Sequence, residues 1–201
     1  LKLDFKGGKP DWLVVQGGGT YERAFFDVAA GGKTGIQVPA GRYELFAGQL
    51  SQGKKSQIRK ALILPSRNTP AWNVDAGGTT TIELGAPFGL DFVIEQDDET
   101  VTIVGDTVLV TGRTRETYQR LWNCTVQPDV SVRRAGTKRG AKPEGMKRSE
   151  TQEEISDNGY KSAWFPLDLT LTKKRKGTDV EVQLFVKKNK LFGKIESEWR
   201  N

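Results

Sequence analysis

The stretch "VPAGRYELFAG", residues 38–48, constrains the fold of this chain more than any other. Pro39 fixes its own φ and Gly41 accepts φ > 0, so Pro39-Ala40-Gly41-Arg42 is turn chemistry. Tyr43, Leu45 and Ala47 then alternate with Glu44 and Phe46, the period of a strand with one buried face. Ile36 and Val38 alternate with Gln37 before the turn. Residues 34–48 are therefore expected to form a hairpin with Tyr43 and Leu45 facing a core. Pro and Gly at its centre exclude a helix.

The same pattern recurs. "DVAAGGKTGIQV" (27–38) aligns with "NVDAGGTTTIEL" (73–84) at a constant offset of 46 residues, placing Val28 on Val74, Gly31-Gly32 on Gly77-Gly78 and Ile36 on Ile82. Each copy reads as strand, Gly-Gly turn, strand, because glycine supplies positive φ without steric cost. Internal duplication and convergence on one turn both account for the match. Further on, "LDFVIEQ" (90–96), "TVTIVG" (100–105), "TVLVTGR" (107–113), "ETYQRLW" (116–122) and "PDVSVRR" (128–134) read as strands. "PLDLTLTKKRKGTDVEVQLFV" (166–186) reads as a hairpin with Lys173–Thr178 as its loop, and "LFGKIESEWR" (191–200) as a closing strand.

Across residues 28–45 the pattern V-x-A-G-G-x-T-x-I-x-V-P-A-G-R-Y-E-L resembles the middle of carboxypeptidase-regulatory-like or PEGA-like modules, a transthyretin-like group of β-sandwiches. The second copy departs from it, since "GAPFGLDFVI" (85–94) lacks the Pro-Ala-Gly-x-Tyr turn. The resemblance implies a small sandwich that accompanies other domains in exported proteins. It carries over no catalytic residue.

Composition narrows the chemistry. The 201 residues include no histidine and a single cysteine, Cys124. Ser-His-Asp and Cys-His catalysis need an imidazole, and zinc loses both of its usual ligand types. Cys124, beside Leu121 and Trp122, reads as a small buried hydrophobe. Carboxylate-only glycoside hydrolysis and an oxygen-ligated calcium site survive in principle. Yet Asp97, Asp98, Glu99, Asp157 and Asn158 show no calcium-loop spacing and read as turn residues. No cofactor is expected. The net charge of +6 divides into +4 for residues 1–86 and +2 for 87–201, so neither half carries the concentrated basic field of a nucleic-acid binder. No apolar run approaches the roughly 20 residues of a membrane-spanning helix. With Leu1 first and no basic-then-apolar leader, any export signal is expected to lie outside these residues.

The candidate sites are few. Residues 135–160 are basic, then acidic, and nearly devoid of apolar side chains apart from Met146 and Ile155, so they are expected to form a long polar loop. Its basic half carries Lys138, Arg139, Lys142, Lys147 and Arg148, a set suited to phosphate or an anionic polysaccharide; no aromatic residue is interleaved for base stacking. Lys173-Lys174-Arg175-Lys176 and Lys187-Lys188 read as strand-edge lysines that block strand pairing. Of the five tryptophans, Trp12, Trp72, Trp122, Trp164 and Trp199, most read as core. Trp72, in the turn-flanked "NTPAWNV", and Trp164, near Tyr160, are the candidates for stacking on sugar rings.

These observations lead to an all-β chain of two small β-sandwich modules, Ig-like or transthyretin-like. Residues 1–86 carry the two Gly-Gly hairpins and residues 87–201 the polar loop. The expected role is non-enzymatic: an adhesion, scaffolding or ligand-binding module of a secreted, periplasmic or cell-surface protein, with an envelope protein or polysaccharide as partner. A carbohydrate-binding module using exposed tryptophan is the alternative, and a carboxylate-based hydrolase a third class.

Overall fold

Short β-branched and aromatic runs separated by Gly, Pro and Asp leave no segment long enough to stabilise an α-helix. The computed structural model of the protein is accordingly all-β. It describes residues 1–138, 140, 143–146 and 166–201. No helix among them is long and apolar enough to cross a membrane. The chain divides into two compact units, one made of Leu1–Phe88 with Thr111–Asn123, the other of Gly89–Val110 with Cys124–Asn201.

In the first unit the strands, numbered in chain order, are β1 (Lys2–Lys6), β2 (Pro10–Gly17), β3 (Phe25–Asp27), β4 (Gly41–Gln52), β5 (Arg59–Leu64), β6 (Trp72–Val74), β7 (Thr81–Gly85) and β10 (Thr117–Trp122). The antiparallel order is β10-β5-β4-β2-β3. One edge of the long β4 is shared: β6 pairs with Gly41–Tyr43 and β5 with Gly48–Gln52. The alternation at 43–48 survives as burial, with Tyr43 and Leu45 in the core and Arg42, Glu44 and Phe46 exposed. Leu13, Val15, Ile63 and Ile82 are fully buried with them, and this apolar area removed from water is the main stabilising term.

The hairpin readings need correction. Residues 28–40 run as turns and irregular chain, and β3 and β4 both pair with β2, not with each other. Likewise β6 pairs with β4, whereas β7 pairs in parallel with β1, Leu3 opposite Ile82. The Gly-Gly turns reverse the chain, but side-chain burial decides the partners. Trp72 and Val74 are buried from a strand beside β4, and Ile82 and Leu84 from one beside β1.

The second unit holds β8 (Gly89–Gln96), β9 (Thr100–Thr111), β11 (Asp129–Arg134), β12 (Glu144–Gly145), β13 (Leu169–Thr172), β14 (Val180–Asn189) and β15 (Gly193–Glu196). The order is β12-β11-β14-β15-β8-β9, with β13 on β9. Here too the predicted 166–186 hairpin is not one. Val180, Val182, Leu184 and Val186 form the buried face of a central strand that takes β11 and β15 as neighbours. Its would-be partner β13 is tied to β9 instead, through a Thr102–Thr170 hydroxyl contact of 2.9 Å and the Asp168 carboxylate, which accepts from Gly105 N–H at 2.7 Å. The closing strand is realised as β15. The described part of 135–160 is not all irregular: Gly140 bridges to Arg133, Glu144–Gly145 pairs with β11, and Met146 is fully buried.

Candidate functional site

Within the second unit, side chains of β9, β11, β13, β14 and the 173–178 loop surround a cavity of about 600 Å³, within the range of small-molecule sites. Burial separates its floor from its rim. Val101 and Val130 are 1% exposed and Val180 8%, and with Val132 and Leu171 they make an aliphatic floor. Among the described residues the lining includes the cations Arg133, Arg134, Lys173, Lys174 and Arg175 and one carboxylate, Glu144.

These cations are not equivalent. Arg133 is held on two sides: its Nε donates to Glu181 Oε2 at 2.6 Å, and its guanidinium lies 3.8 Å from the centre of the Trp199 ring. Arg133 and Glu181 are cross-strand partners, so the pairing of β11 with β14 sets this geometry. Its terminal nitrogens make no hydrogen bond among the described residues, which leaves a guanidinium with fixed orientation and spare donors. Lys173 donates from Nζ to the carbonyl oxygen of Asp97. Arg134, Lys174 and Arg175 are exposed and make no ion pair among the described residues.

The loop that presents Lys174 and Arg175 is fastened by the acidic turn between β8 and β9. Lys173 N–H donates to Glu99 O at 2.7 Å, Gly177 N–H to Asp98 O at 2.8 Å, and Lys176 Nζ pairs with Glu99 at 2.5 Å. The turn is itself rigid. The Asp97 carboxylate accepts from Thr100 N–H and Glu99 N–H at 2.7 Å and from the Thr100 hydroxyl at 2.9 Å. These bonds, with Lys173 nearby, hold its pKa below the usual carboxylate value. The acids of "EQDDETV" thus hold the basic loop in place. Among the described residues no group of three His, Cys, Asp or Glu is placed to hold a metal ion.

The first unit contains a buried carboxylate, Glu116, with no exposed surface. Oε1 accepts from Gly85 N–H at 2.6 Å and the Tyr118 hydroxyl at 3.0 Å; Oε2 accepts from Thr114 N–H at 3.1 Å and its hydroxyl at 2.9 Å. Four donors saturate both oxygens, the arrangement of a structural anchor. Burial, then the adjacent carboxylate, push the Tyr118 phenol well above its usual pKa. Nearby, Asp4 and Glu83 lie opposite each other on β1 and β7, and Arg113 offsets the like charges, reaching Asp4 at 2.8 Å and Glu83 at 3.9 Å.

Of the residues singled out by sequence, Trp72 lies in β6 opposite Tyr43 and is 8% exposed, so it offers no open ring face for a sugar. Lys138 is exposed in the turn after β11 and does not line the cavity. Arg139, Lys142, Lys147, Arg148, Tyr160 and Trp164 lie outside the described residues. Cys124 is half-buried and its thiol donates to Asn189 Oδ1 at 3.4 Å. The Lys173–Arg175 run, read as edge lysines, lines one cavity with Arg134. The available signal was one basic pair, Arg133-Arg134, and one basic run, Lys173–Lys176, each at the end of an apolar alternation. No family model, curated protein or solved structure matches the chain.

Proposed function

We propose that the chain is a non-enzymatic binding module and that the second unit's cavity takes an anionic ligand. The observation carrying this reading is the trio Arg134, Lys174 and Arg175, exposed at the rim without an ion pair among the described residues. A strand-edge lysine needs only solvent, whereas cations from two separate segments around one concavity raise the local potential for an anion. The loop's attachment to the Asp97–Thr100 turn reduces the ordering cost of binding. On this reading the units are small sandwich-like modules of a secreted or envelope-associated protein, as the 28–45 pattern implies, and the partner class is an anionic envelope polymer or its fragments.

The test is a calorimetric titration with polygalacturonate fragments and with neutral dextran, at two salt concentrations. Binding of the acidic polymer alone is expected, weakened by salt. The variant Arg134→Ala/Lys174→Ala/Arg175→Ala should bind about tenfold or more weakly, a loss of 1.4 kcal/mol or more. Equal binding of both polymers, or an unaffected variant, would overturn the reading.

A further inference from the structure

The cavity offers more than charge. A surface that recognises only a polyanion needs cations and hydrogen-bond donors, and it gains nothing from an aliphatic recess beneath them. Here the recess is floored by Val101, Val130, Val132, Leu171 and Val180, and no aromatic residue among the described ones lines it for stacking on sugar rings. The cations stand at one end of the burial gradient, with Arg134, Lys174 and Arg175 exposed and Val101 and Val130 almost wholly buried.

We propose that the ligand is an anionic amphiphile: a carboxylate, sulfate or phosphate head held by the rim cations Arg134, Lys174 and Arg175, with an aliphatic chain lying on the valine-leucine floor. This rests on the anionic-ligand reading above and specifies the ligand. Arg134 stands on the same face of β11 as Val130 and Val132, opposite Val180, whereas Arg133, held by Glu181 and Trp199, is on the other face. Burying each methylene against the floor adds affinity by about fourfold.

The experiment titrates the full chain by calorimetry with butanoate, octanoate and dodecanoate below their micellar concentrations. Dodecyl maltoside serves as an uncharged chain and polygalacturonate fragments as a chainless polyanion. Dodecanoate is expected to bind at one site, at least tenfold more tightly than octanoate, and more tightly than the maltoside. Lys174→Ala/Arg175→Ala should weaken dodecanoate and polygalacturonate together. Leu171→Trp, which fills the recess without removing charge, should weaken dodecanoate alone. Val132→Phe replaces it if the tryptophan variant loses the wild-type melting transition. No gain with chain length, alongside polygalacturonate binding, overturns the amphiphile and leaves the anionic-ligand reading standing. If neither dodecanoate nor polygalacturonate binds, both fail. Equal binding of dodecyl maltoside overturns the role given to the charged head.

Discussion

Glu116 shows what one residue contributes when its environment is fully committed. A buried carboxylate is costly unless donors replace its water, and here two backbone N–H groups and two hydroxyls do so. Glu116→Gln substitutes an NH2 for one acceptor oxygen and turns it against a donor. A loss of about 3 kcal/mol is expected in urea unfolding. Tyr118→Phe removes one donor and leaves the rest, so about 1 kcal/mol is expected. Equal effects from both variants would contradict this account. Gly85 depends on the same corner: its φ is +89°, and a Cβ there would lie 2.1 Å from Lys6 O, a backbone atom that cannot move aside. Gly85→Ala should cost on the order of 1–3 kcal/mol through strain alone, visible as a lowered melting temperature.

Elements were legible where the local pattern decides the outcome. The Tyr43–Leu45 alternation placed β4 and its buried face correctly, and the runs at β8, β10 and β11 marked strands; the runs at 100–105 and 107–113, read as two strands, form the single strand β9, which continues through Gly105-Asp106. Pairing was not legible. Nothing local to Thr81–Gly85 says that it lies parallel to Lys2–Lys6, or that Lys173 meets Glu99, since such contacts depend on chain closure over many residues. The cavity was hidden for the same reason. Arg133-Arg134 and Lys173–Arg175 are separate in sequence and converge only when β11 pairs with β14 and β13 with β9.

The attachment between the Asp97–Thr100 turn and the 173–177 loop is an element-scale device with a testable pH dependence. The folded pKa of Asp97 lies below its unfolded value near 3.9, so its contribution is present above that value and lost as pH falls through the folded pKa. Asp4, lowered chiefly by its hydrogen bond to Arg113, behaves alike. Asp97→Asn should therefore melt below wild type at pH 7. The gap between their melting temperatures should close as pH falls below about 4. A gap that stays constant down to pH 2 would show that the charge is irrelevant.

At the scale of the whole molecule, the units are interleaved in sequence: the first joins Leu1–Phe88 to Thr111–Asn123, which carries β10, and the second takes the intervening Gly89–Val110 together with Cys124–Asn201. β5 finds its β10 partner there, Leu64 opposite Thr117 and Ile63 opposite Tyr118, and Glu116 reaches back to Gly85. A fragment ending at Phe88 loses all of these and exposes the edge of β5. It is expected to lack the cooperative thermal transition of the full chain, as followed by near-ultraviolet circular dichroism. A fragment that melts like the full chain would refute the dependence.

The acidic turn has a consequence for how such a chain can diversify. Lys173, Lys176 and Gly177 are fastened to Asp97, Asp98 and Glu99, while Lys174 and Arg175 between them carry no ion pair among the described residues. Support and display are thus assigned to different positions of the one loop that joins β13 to β14. The displayed pair can be exchanged for other side chains while the scaffold beneath is retained, so new ligand preferences are reachable by single substitutions that leave folding intact.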